Sequence, residues 1–311
     1  MTEPRLWAVV GATGTGKSAL SLDLAEALGQ RGVGAEVVNA DAMQLYRGMD
    51  IGTAKLPIAE RRGIPHHLFS EYEPAEEATV ARYQPVARET IAAIHARGND
   101  AILVGGSGLY VSSVIYDFAF PPRDEALRAE LEADLERDGT ESLLARLRGL
   151  DPGVAEAVDA RNPRRVVRAL EVALLGGDAQ VILPAEPQLW RSGTRIVHLV
   201  CERAELVDRL DARVEQMWRD GLLDEVRALI PRGIERGKTA SRAIGYAQAL
   251  GQLAGTLAEA EAIAETQALT RRYARRQVSW FKRYAGSSLV TAPGRDTAAT
   301  LVNNAEGQAG E

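Results

Sequence analysis

The chain has 311 residues, 46% hydrophobic and 26% charged, enough for a sizeable core and roughly two domains of about 150 residues. Thirty-seven Lys and Arg against 43 Asp and Glu leave a formal charge of −6, a total that by itself speaks against nucleic-acid binding, although binding depends on where charge sits. The single cysteine, Cys201, excludes an internal disulfide or thiolate zinc cluster, and Leu6 to Val10 is too short to span a bilayer and lacks a signal-peptide layout, so a cytoplasmic protein without a membrane partner is expected.

Leu6 to Val10 reads as a buried strand stopped by Gly11, and Ser18 to Leu28 as a helix that Gly29 ends. A second strand, Ala35 to Ala40, runs up to Asp41. Val80 to Ala96 reads as a helix, and Ala101 to Val104 as a third strand ending at Gly105-Gly106. This alternation predicts an α/β core with a mostly parallel sheet. From Asp124 to Leu175 the pattern is helical throughout, with Leu127, Leu131 and Leu135 at helical spacing and a second run around Leu143, Leu144 and Leu147. Gly176 to Asp178 and Pro184 to Pro187 read as loop, after which the strand Arg195 to Val200 resumes the sheet. The helical segment is therefore an insertion into one core: residues 1–120 begin the core, 121–190 form the insertion, 191–290 complete the core and 291–311 form a tail. Three helical stretches follow Val200, namely Ala204 to Arg219, Leu222 to Ile230 and Leu257 to Arg283. The last 20 residues, rich in Gly, Ala and Asn, read as a frayed tail unless Asp296 caps a short helix through Val302.

The strongest local signal is Gly11-Ala12-Thr13-Gly14-Thr15-Gly16-Lys17-Ser18, a full match to G-x-x-x-x-G-K-[ST] between a strand and a helix. Its glycines let successive N–H groups converge on a phosphate, the helix start adds its positive dipole end, Lys17 adds a point charge and Ser18 offers a hydroxyl to Mg²⁺. Such a loop binds a di- or triphosphate without saying which. NTP hydrolases place an acid at the end of a later strand, whereas here the third strand ends in Gly105-Gly106-Ser107-Gly108 and the acid stands at Asp41, at the carboxyl end of the second. That rim is where ligands sit in open α/β sheets, so Asp41 is placed as a general base or as a ligand in a metal shell, unless it merely caps the following turn. Asp50 is the lesser candidate for the same position.

Arg203, Arg209 and Arg213 recur at intervals that put the last two on one helix face, either as a solvated ion-pair face with Asp208, Asp211 or Glu215 or as a guanidinium reaching a leaving phosphate. Arg271, Arg272, Arg275, Arg276, Lys282 and Arg283 lie within 13 residues that contain no acid, interleaved with Tyr273, Trp280, Phe281 and Tyr284. Basic side chains with aromatics between them suit RNA, and Arg161, Arg164, Arg165 and Arg168 form a smaller cluster in the insertion. Only four of the 37 basic residues are lysines, so the positive charge is nearly all arginine, suited to phosphate forks and base stacking. His66-His67, His95 and His198 do not have the spacing of a zinc site.

Taken together these residues resemble the tRNA dimethylallyltransferase (tRNA isopentenyltransferase) family. The likeness is carried by the phosphate loop, by Asp41 to Lys55, Pro65-His66-His67-Leu68, Val104 to Tyr110, Arg168 to Val172, Ile244-Gly245-Tyr246 and Arg275 to Phe281, in order along most of the chain. The resemblance implies a P-loop NTPase-like core with a helical insertion that grips the tRNA anticodon stem-loop. It implies transfer of a dimethylallyl group from dimethylallyl diphosphate to the N6 amine of the adenosine adjacent to the anticodon, with Mg²⁺ held by Ser18 and Asp41. By it, residues 11–18 hold the diphosphate in what is often called an ATP site, Asp41 is the base, Ser107 supplies a hydroxyl where the family has Thr, and Arg213 assists the diphosphate. The same resemblance puts Asp41, Ala42, Met43, Gln44, Ser107, Arg128, Arg164, Arg165, Arg168, Arg242, Gly245, Tyr246, Arg275, Arg276, Gln277, Trp280 and Lys282 on tRNA. Ala42 departs from the family's Ser, and Ala173 to Trp190 matches poorly. A monomer is expected. Two other readings are a small-molecule or nucleoside kinase on the same core, with Asp41 as base on a hydroxyl, and an RNA-binding regulator that uses the nucleotide as a switch. The kinase leaves the basic-aromatic helix unused, and the regulator leaves Asp41 without a task.

Overall fold

Apolar runs bounded by glycine and turn residues become the strands of one sheet: β1 (Leu6–Gly11), β2 (Ala35–Asn39), β3 (His66–His67), β4 (Asp100–Gly105), β5 (Arg195–Leu199) and β6 (Ser288–Val290). In the computed structural model, which describes residues 3–117, 120–177 and 187–307, all six lie parallel in the order β3-β2-β4-β1-β5-β6. This is the parallel α/β sheet that the strand–helix alternation predicts and the P-loop NTPase-like core that the family resemblance implies. Register matters for function, because Val10 pairs with Gly105 and Gly11 with Leu199, while Asn39 pairs with Val104. The phosphate loop, the Gly105-Gly106 turn and Asp41 therefore leave the sheet at one rim.

The core segments carry α1 (Lys17–Gly29), α2 (Val80–Ala96), α3 (Gly108–Ile115), α7 (Arg203–Arg219), α8 (Leu222–Leu229), α9 (Tyr246–Leu253), α10 (Glu259–Phe281) and α11 (Arg295–Gly307). The intervening α4 (Glu125–Leu150), α5 (Pro152–Ala157) and α6 (Pro163–Leu174) belong to the insertion. Trp7, Val9, Leu20, Leu24, Val37, Ile102 and Val197 meet in a buried cluster under the sheet. That cluster also takes in Val290, Ala298, Val302 and Ala305, which corrects the frayed-tail expectation. β6 completes the sheet beside β5, and α11 packs on α1. Alanine gives a weak hydrophobic signal in sequence but allows close helix packing, which is why the segment reads as a tail and folds as core. Asp296 lies inside the first turn of α11, not at its cap, and residues 308–311 of the expected tail fall outside the described residues. The helices α3 and α9 lie where the sequence pattern predicts none.

The chain divides into two compact units, the described residues of 1–116 with 189–311, and those of 117–188. In the second unit the expected unbroken helicity is interrupted. Gly139, at φ 77° and ψ 172°, breaks α4, Asp151 caps α5 by accepting the Val154 N–H at 3.0 Å, and prolines open α5 and α6. Leu131, Leu143, Leu147, Val154, Val166 and Leu170 form its core. Most of the loop expected from Gly176 to Pro187 falls outside the described residues. Among the described residues no helix is long and apolar enough to cross a membrane.

Candidate active site

Gly14 (φ 82°) and Gly16 (φ 90°) hold the phosphate loop in the left-handed region, where a side chain would be strained, and α1 begins immediately after them. Within the loop Thr15 Oγ1 and Lys17 Nζ both donate to the Ala12 carbonyl, at 2.9 and 2.7 Å. Burial lowers the Lys17 pKa to about 8, although the nearby Asp41 charge raises it; Arg213 lowers it further.

Asp41 stands just past β2, held by its neighbours. Its N–H donates to Asn39 Oδ1 at 2.9 Å, and one of its carboxylate oxygens accepts the Met43 N–H at 2.9 Å. The turn-capping reading thus holds for one oxygen, yet the side chain still borders both cavities of the site. Asn39, a buried residue that the sequence reading did not single out, anchors this corner by donating to the carbonyls of Asp41 (3.1 Å) and Leu68 (2.8 Å). Ser107 Oγ accepts the Ala42 N–H at 3.1 Å and bonds to Tyr273, so position 42 contributes through its backbone. The Tyr273 phenol is pushed up to about 12, by burial first and then by the Asp41 charge. Asp50 pairs with Lys55 at 2.6 Å and borders neither cavity.

On α7 the three arginines separate. Arg209 pairs with Glu205, not with the acids expected for it, while Arg213 Nη1 donates to Thr13 Oγ1 at 3.3 Å. Burial lowers the Arg213 pKa and the Asp41 charge opposes that shift. Asp211 pairs with Arg271 of α10 at 2.6 Å.

Two cavities meet here. One of about 340 Å³ is bordered by Gly14, Gly16, Lys17, Ser18, Gln44 and Arg209, and the other, of about 320 Å³, by Leu210, Val214, Met217, Ile244, Tyr246 and Arg242. Thr13, Asp41, Thr53 and Arg213 border both. The first offers hydroxyls and cations and the second offers mainly apolar surface. Glu225, also absent from the sequence reading, stiffens the wall of the second. Its carboxylate accepts the N–H groups of Asp50, Ile51 and Gly52 and the Tyr246 hydroxyl, the last at 2.5 Å.

The residues expected on tRNA stand in several different settings. Arg164, Arg165, Arg242, Arg275, Arg276 and Lys282 are exposed cations. Arg128 and Arg168 instead converge on the fully buried Glu171, at 3.0 and 2.8 Å, and Arg168 also donates to the carbonyls of Pro121 and Pro122. Tyr246 and Gln277 are buried, and Gly245 (φ 90°) is the turn that starts α9. Trp280 packs on α3, with its indole N–H donating to Ser112 Oγ at 3.2 Å and Arg283 stacked over its ring at 4.3 Å. Met43 and Gln44 are half-buried, and Gln44 donates to the Thr53 carbonyl at 3.0 Å.

A family model described as IPP transferase matches residues 44–284. A tRNA dimethylallyltransferase of Clavibacter sepedonicus is 61% identical over 285 residues, covering 92% of each chain. Another from Thermobifida fusca is 51% identical over 277 residues, covering 89% of this chain and 86% of its own. The solved tRNA isopentenylpyrophosphate transferase of Bacillus halodurans superposes with a TM-score of 0.70 at 38% identity, over 98% of this chain and 96% of that one. A solved eukaryotic dimethylallyltransferase acting on tRNA superposes with a TM-score of 0.78 at 25% identity, over 99% of this chain and 80% of that one. With that identity across nearly the whole length, and a phosphate loop opening onto an apolar cavity, the chain belongs to the IPP transferase family, the tRNA dimethylallyltransferases.

Proposed function

We propose that the protein transfers a dimethylallyl group from dimethylallyl diphosphate to the N6 amine of the adenosine adjacent to the tRNA anticodon, releasing diphosphate. One observation carries this reading: the cation- and hydroxyl-lined cavity and the apolar cavity join at Thr13, Asp41, Thr53 and Arg213. A diphosphate ester of a short hydrocarbon needs a polar end and an apolar end in that order, with the breaking bond at the junction. A kinase acceptor pocket calls for polar walls where this chain presents Leu210, Val214 and Ile244.

In the transfer, the bond between the allylic carbon and the diphosphate oxygen breaks with its electron pair on oxygen, and the adenine N6 forms the new bond to that carbon. Lys17, Arg213 and phosphate-loop N–H groups meet the charge that builds on the leaving group, and removing a single donor of this kind costs about 3–4 kcal/mol of transition-state stabilisation. Asp41 accepts the amine proton, its position fixed by the Asn39 and Met43 bonds. The Ser18 hydroxyl, which borders the polar cavity, is a hard oxygen donor that fits Mg²⁺ completed by water and phosphate and would hold it, leaving the second Asp41 oxygen for the amine proton. Bound there, the ion supplies charge neutralisation on the diphosphate. The exposed Arg275, Arg276 and Lys282 engage tRNA phosphates, and an adenine turned out of its stack enters beside Arg242.

The test is incubation with unmodified tRNA, dimethylallyl diphosphate and Mg²⁺, followed by nucleoside analysis. Wild type should yield prenylated adenosine, and Asp41→Ala should lower turnover about 10²–10⁴-fold with tRNA affinity retained. ATP consumption with a small acceptor and no prenylated adenosine would return the kinase reading.

A further inference from the structure

Gln277 sits in the C-terminal part of α10, in the most basic stretch of the chain, yet it is only 4% exposed. Its side chain points into the core unit and makes two hydrogen bonds, one part-buried and one buried, to backbone atoms of two different loops. Oε1 accepts the Thr13 N–H at 2.9 Å, and Nε2 donates to the Gly106 carbonyl at 2.8 Å. The fit is tight on the second side, because a Cβ placed at Gly106 would lie 2.3 Å from Nε2. Thr13 is thereby held from two directions, its N–H by Gln277 and its hydroxyl by Arg213. It is also one of the residues shared by both cavities.

We infer that Gln277 is a positioning residue for the diphosphate site, not a contact to RNA. By clamping the Thr13 peptide against the Gly106 turn it sets where the Thr13 hydroxyl and Arg213 meet the leaving group. Of the neighbouring exposed residues of the same helix, Arg275 stands apart from both cavities, while Arg276 lies over the Tyr273 ring at 5.7 Å and borders the apolar cavity. α10 therefore presents Arg275 away from the site while its inner face holds the phosphate loop in register. An amide suits the task because it offers one acceptor and one donor to a backbone donor and a backbone acceptor. A glutamate keeps the acceptor for Thr13 but sets a second acceptor against the Gly106 carbonyl, and a methionine of similar length satisfies neither group.

This inference rests on the phosphate loop being the diphosphate site of the proposed reaction. The experiment compares wild type, Gln277→Met, Gln277→Glu and Gly106→Ala. Calorimetry reads inorganic diphosphate with Mg²⁺, filter binding reads unmodified tRNA, and steady-state kinetics read prenyl transfer. The expected result is at least a tenfold weaker diphosphate Kd and a raised KM for dimethylallyl diphosphate in Gln277→Met, with a tRNA Kd within twofold of wild type. Gln277→Glu should fall between the two. Gly106→Ala, which pushes on the clamp while leaving Gln277 in place, should show the same split. Weakened tRNA binding with diphosphate binding intact would overturn the assignment and make Gln277 an RNA contact. Equal losses on both axes, or none, would overturn it as well. Wild-type transfer reports separately on the proposed reaction, because inorganic diphosphate binding is read without any transfer step.

Discussion

Cations in the phosphate-loop site and cations in the helical insertion are held in opposite ways. In the site, Lys17 donates to a carbonyl and Arg213 to a hydroxyl, and both feel the single Asp41 charge. In the insertion, Arg128 and Arg168 close on the buried Glu171, which also accepts the Asp124 N–H at 3.1 Å. The first arrangement leaves positive charge for an incoming anion, and the second neutralises it within the chain. An arginine in a basic run is thus read by its counter-charge: a ligand in one case, a buried acid in the other.

The sharpest way to break this contrast is Arg213→Ala. Removing a half-buried guanidinium that pairs with no carboxylate among the described residues should lower kcat/KM for dimethylallyl diphosphate by about 10²–10³-fold. The thermal midpoint should stay level, because desolvation of the cation is relieved. A fall in the midpoint with kinetics intact would make Arg213 a structural residue.

Glu171→Ala should do the reverse. It leaves Arg128 with only the more exposed Glu132 and Arg168 with only the Pro121 and Pro122 carbonyls, and since both arginines are partly exposed the cost should lie at the lower end of the range for a broken buried pair, about 3 kcal/mol by denaturant unfolding. If Glu171→Gln unfolds as easily as the alanine variant, charge is what holds the insertion. If Gln restores stability, hydrogen bonding and shape suffice.

Lys17 supplies a pH-dependent test of the same idea. With its pKa lowered to about 8 by burial, it is charged below that value and neutral above it. Diphosphate binds the charged form, so affinity should be high below pH 8 and fall as the pH rises through it, by up to about tenfold per unit for one linked proton. Calorimetry with inorganic diphosphate between pH 7 and 9 checks this. Lys17→Arg isolates the lysine from the ligand's own titration, and the wild-type dependence should flatten relative to it.

The smallest effect concerns the exposed cations. Arg275→Ala and Arg276→Ala should each reduce the slope of log K for tRNA against log salt by about 0.7–0.9. Arg128→Ala should leave the slope unaltered, since its guanidinium faces Glu171. Equal slopes for all three variants would dissolve the distinction.

Much of the site was legible in the residues themselves. The glycines of the phosphate loop, the strand before it, the helix after it, and the Asp41 and Gly105 turns all follow from short-range rules. Where the reading failed, the signal was weak or distant. The alanine-rich α11 looked like a tail because its buried face is carried by Val302 and two alanines. The pairing of Arg128 and Arg168 with Glu171 is not legible in sequence, because nothing local marks Glu171 as buried. The inward turn of Gln277 toward Thr13 and Gly106 is likewise not marked by its basic neighbours.

The amino-acid sequence by itself determined which turns can cradle a phosphate, because φ preference, capping and strand propensity act within a few residues. It also determined which residue types supply cation, hydroxyl and base. Only the tertiary structure decided which charges face a ligand and which face another residue, because that depends on contacts between segments far apart. Gln277 meets Thr13 across 264 positions, and Arg213 meets it across 200. Burial makes those meetings consequential, since a polar group removed from water must find its partner wherever the fold brings one.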